Sequence, residues 1–433
     1  MNPTLRRKIC HCGWSSNISS VAVVGGGLCG LTAAIRLAEL GVPVILFEAA
    51  PKLGGRTRSF LDSTVSELCD NGPHLLVGAY TSTERLLNDC GASHAINWQR
   101  SLQLPCWEKE RGSFSLTPSR WLPLPLALPL AVSRMPGHGL NSALAMLRIG
   151  LSTSSPVETG SSVSEWMKKL GVPKAMIRDM IEPLCLGAMN EQIDTASAAS
   201  FLQVLKESFA THKSARLGWF NASLDEALID PLVKHAESLG VKINTSCRIR
   251  RIETDGSEAS IDGETFKRVI LALPAYATDR VLNRDTQSPT EMITNLHLWL
   301  DQPISFNGPF IGGIGTAGEW FFDVSSQMRE SGPLQHLCVV ISADRIKISE
   351  AELLQTLSHE IEQICGRPVS PVHHRLVREK RATVLVRPHT QQKLPAWLID
   401  ASERPAPGEL PATIEMAVRR GEKAANQCVN SLL

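Results

Sequence analysis

Gly25, Gly27 and Gly30 have the spacing of a phosphate-binding turn, and an acid, Glu48, follows Gly30 by 18 residues. One such glycine permits a tight strand-to-helix turn. Another lets the backbone approach a pyrophosphate, and the third lets helix and strand pack closely. A helix N-terminus behind the turn offers free N–H groups and partial positive charge to phosphates. An acid at about this distance can accept from a ribose hydroxyl. The next polar block is PKLGGRTR, Pro51 to Arg58. Gly54 and Gly55 allow another close backbone approach, and Arg56 can pair with phosphate. Asp70, Asn71, Gly72, Pro73 and His74 form a further turn. His74 can handle a proton or serve as a hydrogen-bonded loop histidine.

These residues need particular elements to place them. Ile18 to Val24 reads as a buried parallel strand. Leu31 to Leu40 reads as a helix closed by Gly41, and Val42 to Phe47 as a second strand ending at Glu48. The glycine spacing recurs at Gly313, Gly315 and Gly318, but Trp320, Phe321 and Phe322 follow it. No Ala/Leu helix or terminal acid supports that second copy, so it reads as strand and turn glycine. Ala222 to Leu239 reads as a helix, Val241 to Asn244 as a strand, and Arg268 to Leu273 as a buried strand before Pro274. A last helix is expected from Leu410, with Pro411 in its first turn. The predicted fold is α/β: a discontinuous Rossmann-type domain from 18–95, 222–289 and 371–433, with a mixed α+β substrate domain from 96–221 and 290–370. Residues 1–17 read as an N-terminal extension.

Of the 433 residues, 43% are apolar and 20% charged, as in ordinary globular proteins. The formal net charge of +1 offers no field for nucleic acid. Eleven cysteines at irregular spacings suit reduced thiols in a reducing compartment. Cys10, His11 and Cys12 lack a fourth zinc ligand nearby, so no metal is expected. Arg6, Arg7 and Lys8 precede no apolar core of a signal peptide. The expected location is cytoplasmic, with peripheral membrane contact. Trp121 to Val132 is apolar but interrupted by Pro123, Pro125 and Pro129. It suits a lipid entrance or membrane-surface contact, or equally a core-packed loop.

The GGR block resembles the segment after the ribose acid in the FAD-dependent amine oxidase and phytoene desaturase superfamily. Four further stretches narrow the likeness. DNGPHLLVGAY (70–80), EPLCLGAMNEQIDTASAASFLQVLKESF (182–209), GPFIGGIGTAGEWFFD (308–323) and LPATIEMAVRRGE (410–422) resemble blocks of the squalene-associated FAD-dependent desaturases. These are the hydroxysqualene dehydroxylases of the hopanoid pathway. REKRATV (378–384) resembles another C-terminal block. The resemblance runs from about residue 20 to residue 424 and implies FAD as cofactor.

It further implies roles for single residues. Gly72 and His74 would lie near the flavin, the Ile249 backbone would meet adenine, and Ala412, Thr413 and Ile414 would meet the flavin pyrimidine ring. His74, Glu182 and Asn190 are the candidate catalytic groups. The family's Gly-Asp pair before LPAT is missing here, and Ser402 and Glu403 are the candidates to replace it. The implied reaction is reductive removal of a hydroxyl from an apolar isoprenoid, with electrons from a separate donor. The rival readings are a carotenoid-type desaturase, an amine or porphyrinogen oxidase, and a non-catalytic flavin-binding protein.

Overall fold

Val21–Val24 and Val44–Phe47 are buried at every position, as strands covered on both faces must be. They form the centre of a five-stranded parallel sheet. Its order is Lys242–Asn244, Val44–Phe47, Val21–Val24, Arg268–Leu271, Leu398–Asp400. The computed structural model describes residues 20–284, 288–344, 346–389 and 393–432. The expected start of the first strand at Ile18, the Cys10–Cys12 cluster and the 1–17 extension lie outside the described residues.

The helix Leu28–Ala38 follows the first strand, with Gly41 at a φ of +78° just beyond its end. The C-terminal helix Ile414–Leu432 crosses it closely. A Cβ at Gly421 would meet the Cys29 carbonyl oxygen at 2.4 Å, so only glycine allows this approach. The last helix starts at Ile414 rather than near Leu410. The Thr413 hydroxyl accepts from the Met416 N–H at 3.2 Å and caps it, leaving Pro411 outside. The helix expected from Ala222 starts at Asp225, as a wide turn Asp225–Ile229 leading into Asp230–Ser238.

A second, seven-stranded mixed sheet has the order His373–Val384, Thr290–Leu300, Gln335–Ser342, Trp320–Asp323, Phe310–Ile314, Leu104–Glu108, Gly112–Leu116. His373–Val384 pairs antiparallel with Thr290–Leu300, so the expected boundary at 371 falls one strand too early. The repeated glycine spacing proves to be strand and turn. Gly313 lies within Phe310–Ile314, and Gly315 turns with a φ of +73°. A Cβ at Gly318 would meet Val339 Cγ1 at 2.4 Å.

One face of this sheet packs against the helix Glu350–Cys365, and residues of the sheet and of helices between 124 and 208 line a common cavity. The proline-rich segment is not a loop: Leu124–Ser133 is helical. Pro125 sits in the first turn, where no N–H partner is needed, and Pro129 forfeits a single interior bond. Packing of Leu124, Leu128 and Val132 into a core with Leu102 and Leu116 offsets that loss. The helix Leu140–Ser152 packs beside it.

Candidate functional site

The glycines of the turn are required for different reasons. Gly25 has a φ of +110°, and a Cβ there would meet the Ala272 carbonyl oxygen at 2.5 Å. A Cβ at Gly30 would meet the Gly25 carbonyl oxygen at 1.8 Å. Packing alone thus demands both. At Gly27 a Cβ would find only the Gly55 Cα, at 4.0 Å. Nothing in the fold needs that space, which leaves it for a ligand's close approach. The helix behind it begins with no side-chain cap. Its first-turn N–H groups are oriented for an anion.

The GGR loop lies against this turn. Gly54 donates its N–H to the Gly26 carbonyl at 2.9 Å, and Gly54 and Gly55 both have positive φ. Glu48 ends its strand with Oε2 accepting from the Gly26 N–H and Oε1 from the Ala50 N–H, both at 2.7 Å. Ile249 buries its side chain in a cluster with Val24 and Phe47, which leaves its backbone as the part able to meet a ligand.

A cavity of about 960 Å³ adjoins the turn at Leu28 and Gly54. At this end its wall includes Arg56, Gly72, His74 and Glu403, together with Ala412, Thr413 and Ile414. The far end is walled by leucines of Leu124–Ser133 and Leu140–Ser152. Gly25, Gly27, Gly30, Glu48 and Gly55 flank the cavity rather than line it. Of the binding positions implied by the sequence, Gly54, Arg56, Gly72, His74, Glu403, Ala412, Thr413 and Ile414 share the cavity wall, and Ile249 does not line it.

Of the two residues expected to replace the Gly-Asp pair, Glu403 faces the cavity and Ser402 does not. Ser402 Oγ accepts from Arg404 Nε. Burial pushes the Glu403 carboxyl up, but Arg56 and Arg420 outweigh it and hold it below the usual range. A buried anion is thus fixed beside Arg56.

His74 reaches the cavity with one nitrogen committed. Its Nδ1 lies 2.8 Å from the Gly72 carbonyl oxygen, which can only accept. The proton therefore sits on Nδ1, and Nε2 carries a lone pair. Burial lowers the pKa, so the neutral form is favoured. A smaller void of about 20 Å³ touches Asp70, His74, His297 and His336. His297 Nδ1 and His336 Nε2 are 2.9 Å apart, and burial lowers the pKa of both.

Two expected catalytic groups are placed otherwise. Glu182 does not line the cavity. It opens the helix Glu182–Met189, and burial followed by nearby Asp194 raises its pKa. Asn190 borders the cavity, but its amide is already engaged. Nδ2 donates to Thr383 Oγ1 at 2.9 Å, and Oδ1 accepts from the Ala343 N–H at 2.6 Å. With a φ of +52° it ends the helix and ties it to the large sheet.

The sequence reading missed two cavity residues. Glu379 lies opposite Ile293 in the sheet register, and Asn295 is two residues along the same face. Asn295 Nδ2 donates to the Asn71 carbonyl at 2.9 Å. Its Oδ1 is buried without a hydrogen-bond partner and needs a donor. A signal was present: in TEMITNLHLWL the strand alternation sets polar Asn295 on the face of Ile293. Two further carboxyls on the wall, Asp179 and Glu403, are ion-paired. Burial raises Asp179, but His138, Arg111 and Arg178 hold it well below the usual range. Among the described residues Glu379 forms no ion pair.

Similarity to known proteins follows this geometry. Residues 28–429 match the family described as flavin containing amine oxidoreductase. The hydroxysqualene dehydroxylase of Zymomonas mobilis subsp. mobilis is 26% identical over 430 residues, covering 94% of this chain and 99% of its own. The 15-cis-phytoene desaturase of Solanum lycopersicum is 26% identical over 312 residues, covering 66% of this chain and 53% of that protein. Cyclohexylamine oxidase from Brevibacterium oxydans has a TM-score of 0.69 at 15% identity, over 96% of this chain and 99% of that one. That likeness concerns the fold. With a parallel sheet, a large mixed sheet and a match over nearly its whole length, the chain belongs to the flavin containing amine oxidoreductase family.

Proposed function

We propose that the flavin is FAD and that the protein reductively removes the hydroxyl of hydroxysqualene to give squalene. The observation that carries this reading is the cavity. It runs from the flavin-side residues to a wall of leucines, and so suits a long apolar chain with one polar end. The residues also fit FAD. In this reading the open space at Gly27 takes a pyrophosphate and Glu48 accepts from a ribose hydroxyl, while Arg56 and Glu403 border the cavity.

Bound reduced FAD would supply a hydride equivalent, so that an allylic alcohol, a hydride and a proton become a C–H bond and water. The protein's residues do the rest. The leucine walls hold the chain and exclude water. Asn295 Oδ1 accepts from the substrate O–H and orients it. Glu379 delivers the proton to the departing oxygen. The N-terminus of Ile414–Leu432 favours negative charge on the cofactor side by roughly 0.3–1 kcal/mol. Electrons come from a separate donor, since the second glycine repeat is a strand and turn.

Desaturation of a hydrocarbon polyene is the rival reaction. A hydrocarbon would leave the Asn295 acceptor unpaired, at a cost of about 1–3 kcal/mol. That favours an alcohol. The test is anaerobic incubation of the photoreduced, FAD-loaded protein with hydroxysqualene, followed by lipid extraction. Squalene formed together with flavin reoxidation is the expected result. Unchanged alcohol at full FAD occupancy overturns the reading, and rapid flavin bleaching by NADPH alone overturns the separate donor.

A further inference from the structure

Eight of the twelve large apolar side chains exposed on the described residues lie between Trp121 and Leu151. Trp121 is 82% exposed, Leu151 77% and Leu140 73%. Single exposed leucines are ordinary, but a cluster on two adjoining helices marks an interaction face. The cavity reaches this face. Leu126, Leu147 and Leu151 belong both to its wall and to the exposed set.

The charge pattern is equally one-sided. No Asp or Glu occurs between Glu110 and Glu158. Arg120, Arg134 and Arg148 are all exposed in that interval. The Arg120 guanidinium lies 4.9 Å from the Trp121 ring centroid, so cation and aromatic share one edge of the face. Among the described residues no helix is long and apolar enough to cross a membrane.

We propose that this face docks on the surface of an anionic lipid bilayer. The exposed leucines and Trp121 enter the headgroup boundary, and the three arginines meet lipid phosphates. A second copy of this chain is a poorer occupant, because apposed faces would bring the arginines together. The cavity mouth then opens into lipid, and an apolar ligand enters without crossing water. The use of the face for substrate entry rests on the isoprenoid reading; lipid binding itself does not.

The test is flotation of the FAD-loaded protein with vesicles of phosphatidylcholine alone or mixed with phosphatidylglycerol. The comparison protein carries Trp121→Ser, Leu140→Ser and Leu144→Ser, none of which lines the cavity. Wild type should float with the anionic vesicles, less so in high salt and less with the neutral ones. The triple variant should stay behind, with its flavin spectrum and thermal midpoint unchanged. Its turnover of detergent-dispersed hydroxysqualene should match wild type, while turnover of vesicle-embedded substrate falls about tenfold or more. Failure of wild type to float, or equal flotation of the variant, overturns the proposal. So does a wild-type dimer that the variant abolishes, with no vesicle binding by either. Flotation without turnover of any alcohol leaves the docking standing and removes only the substrate assignment.

Discussion

Arg56 Nη2 donates to Glu403 Oε2 at 2.5 Å, across 347 residues of sequence. The bond joins the loop after the second parallel strand to the segment after the last one. It also holds a buried carboxylate at the cavity wall. Arg56→Met removes that partner and leaves Arg420, at 3.4 Å, as the remaining cation. Charge-assisted hydrogen bonds contribute about 1.5–3 kcal/mol. FAD affinity should fall roughly ten- to hundredfold, read by flavin fluorescence titration.

The glycine turn yields a paired test. Gly30→Ala drives a Cβ into the Gly25 carbonyl, so the protein should fail to fold stably. Gly27→Ala meets open space and a φ of −74°, which alanine accepts. It should fold with an ordinary circular dichroism spectrum, yet bind FAD at least about tenfold more weakly. A yellow, fully loaded Gly27→Ala protein would contradict the ligand role of that space.

Glu379 and Glu182 separate the cavity wall from its outer side. General acid groups contribute about 10²–10⁴-fold. Glu379→Gln should lower the rate constant for alcohol reduction by roughly that range with little change in KM. Glu182→Gln should leave both parameters within about twofold, because the side chain does not line the cavity.

Asn295→Leu removes the buried acceptor while keeping side-chain bulk. Hydroxysqualene should bind about tenfold more weakly, matching about 1.4 kcal/mol. Squalene, which has no hydroxyl, should bind as well as before. Equal losses for both ligands would assign Asn295 to loop packing through its bond to the Asn71 carbonyl.

Asp70 predicts a pH dependence. Burial lifts its pKa from 3.8 to about 6, while Ser59 and the Leu224 N–H pull it down. The folded state therefore holds a proton that the unfolded chain has released between about pH 4 and 6. Stability from this group is present below that window and is lost as pH rises through it, by up to about 3 kcal/mol. Asp70→Asn retains an acceptor for Ser59 and Leu224 and removes the charge. Its thermal midpoint should exceed wild type by a few degrees at neutral pH, and the two should converge near about pH 4.

The glycine turn was legible in the sequence because everything it needs is local: a buried strand, three glycines, a helix and a closing acid within one βαβ unit. The decoy at Gly313 was legible for the same reason, since the wrong neighbours follow it. The direction of Glu182 was not, because helix spacing alone does not say which side meets a cavity. Asn190 showed the same limit; its amide partners, Thr383 and Ala343, are distant in sequence. Leu124–Ser133 became helical despite its prolines because Leu124, Leu128 and Val132 found a core to pack against.

The sequence by itself determined the α/β class, the strand, glycine turn and helix around Gly25, and the apolar segment near Leu126. Each is written in short-range pattern and spacing. Only the tertiary structure decided that Glu379 and Asn295 share one sheet face, that Glu403 rather than Ser402 meets the cavity, and that the cavity ends among exposed leucines. Those relations depend on strand register and helix packing between segments that the fold brings together, which no local pattern encodes.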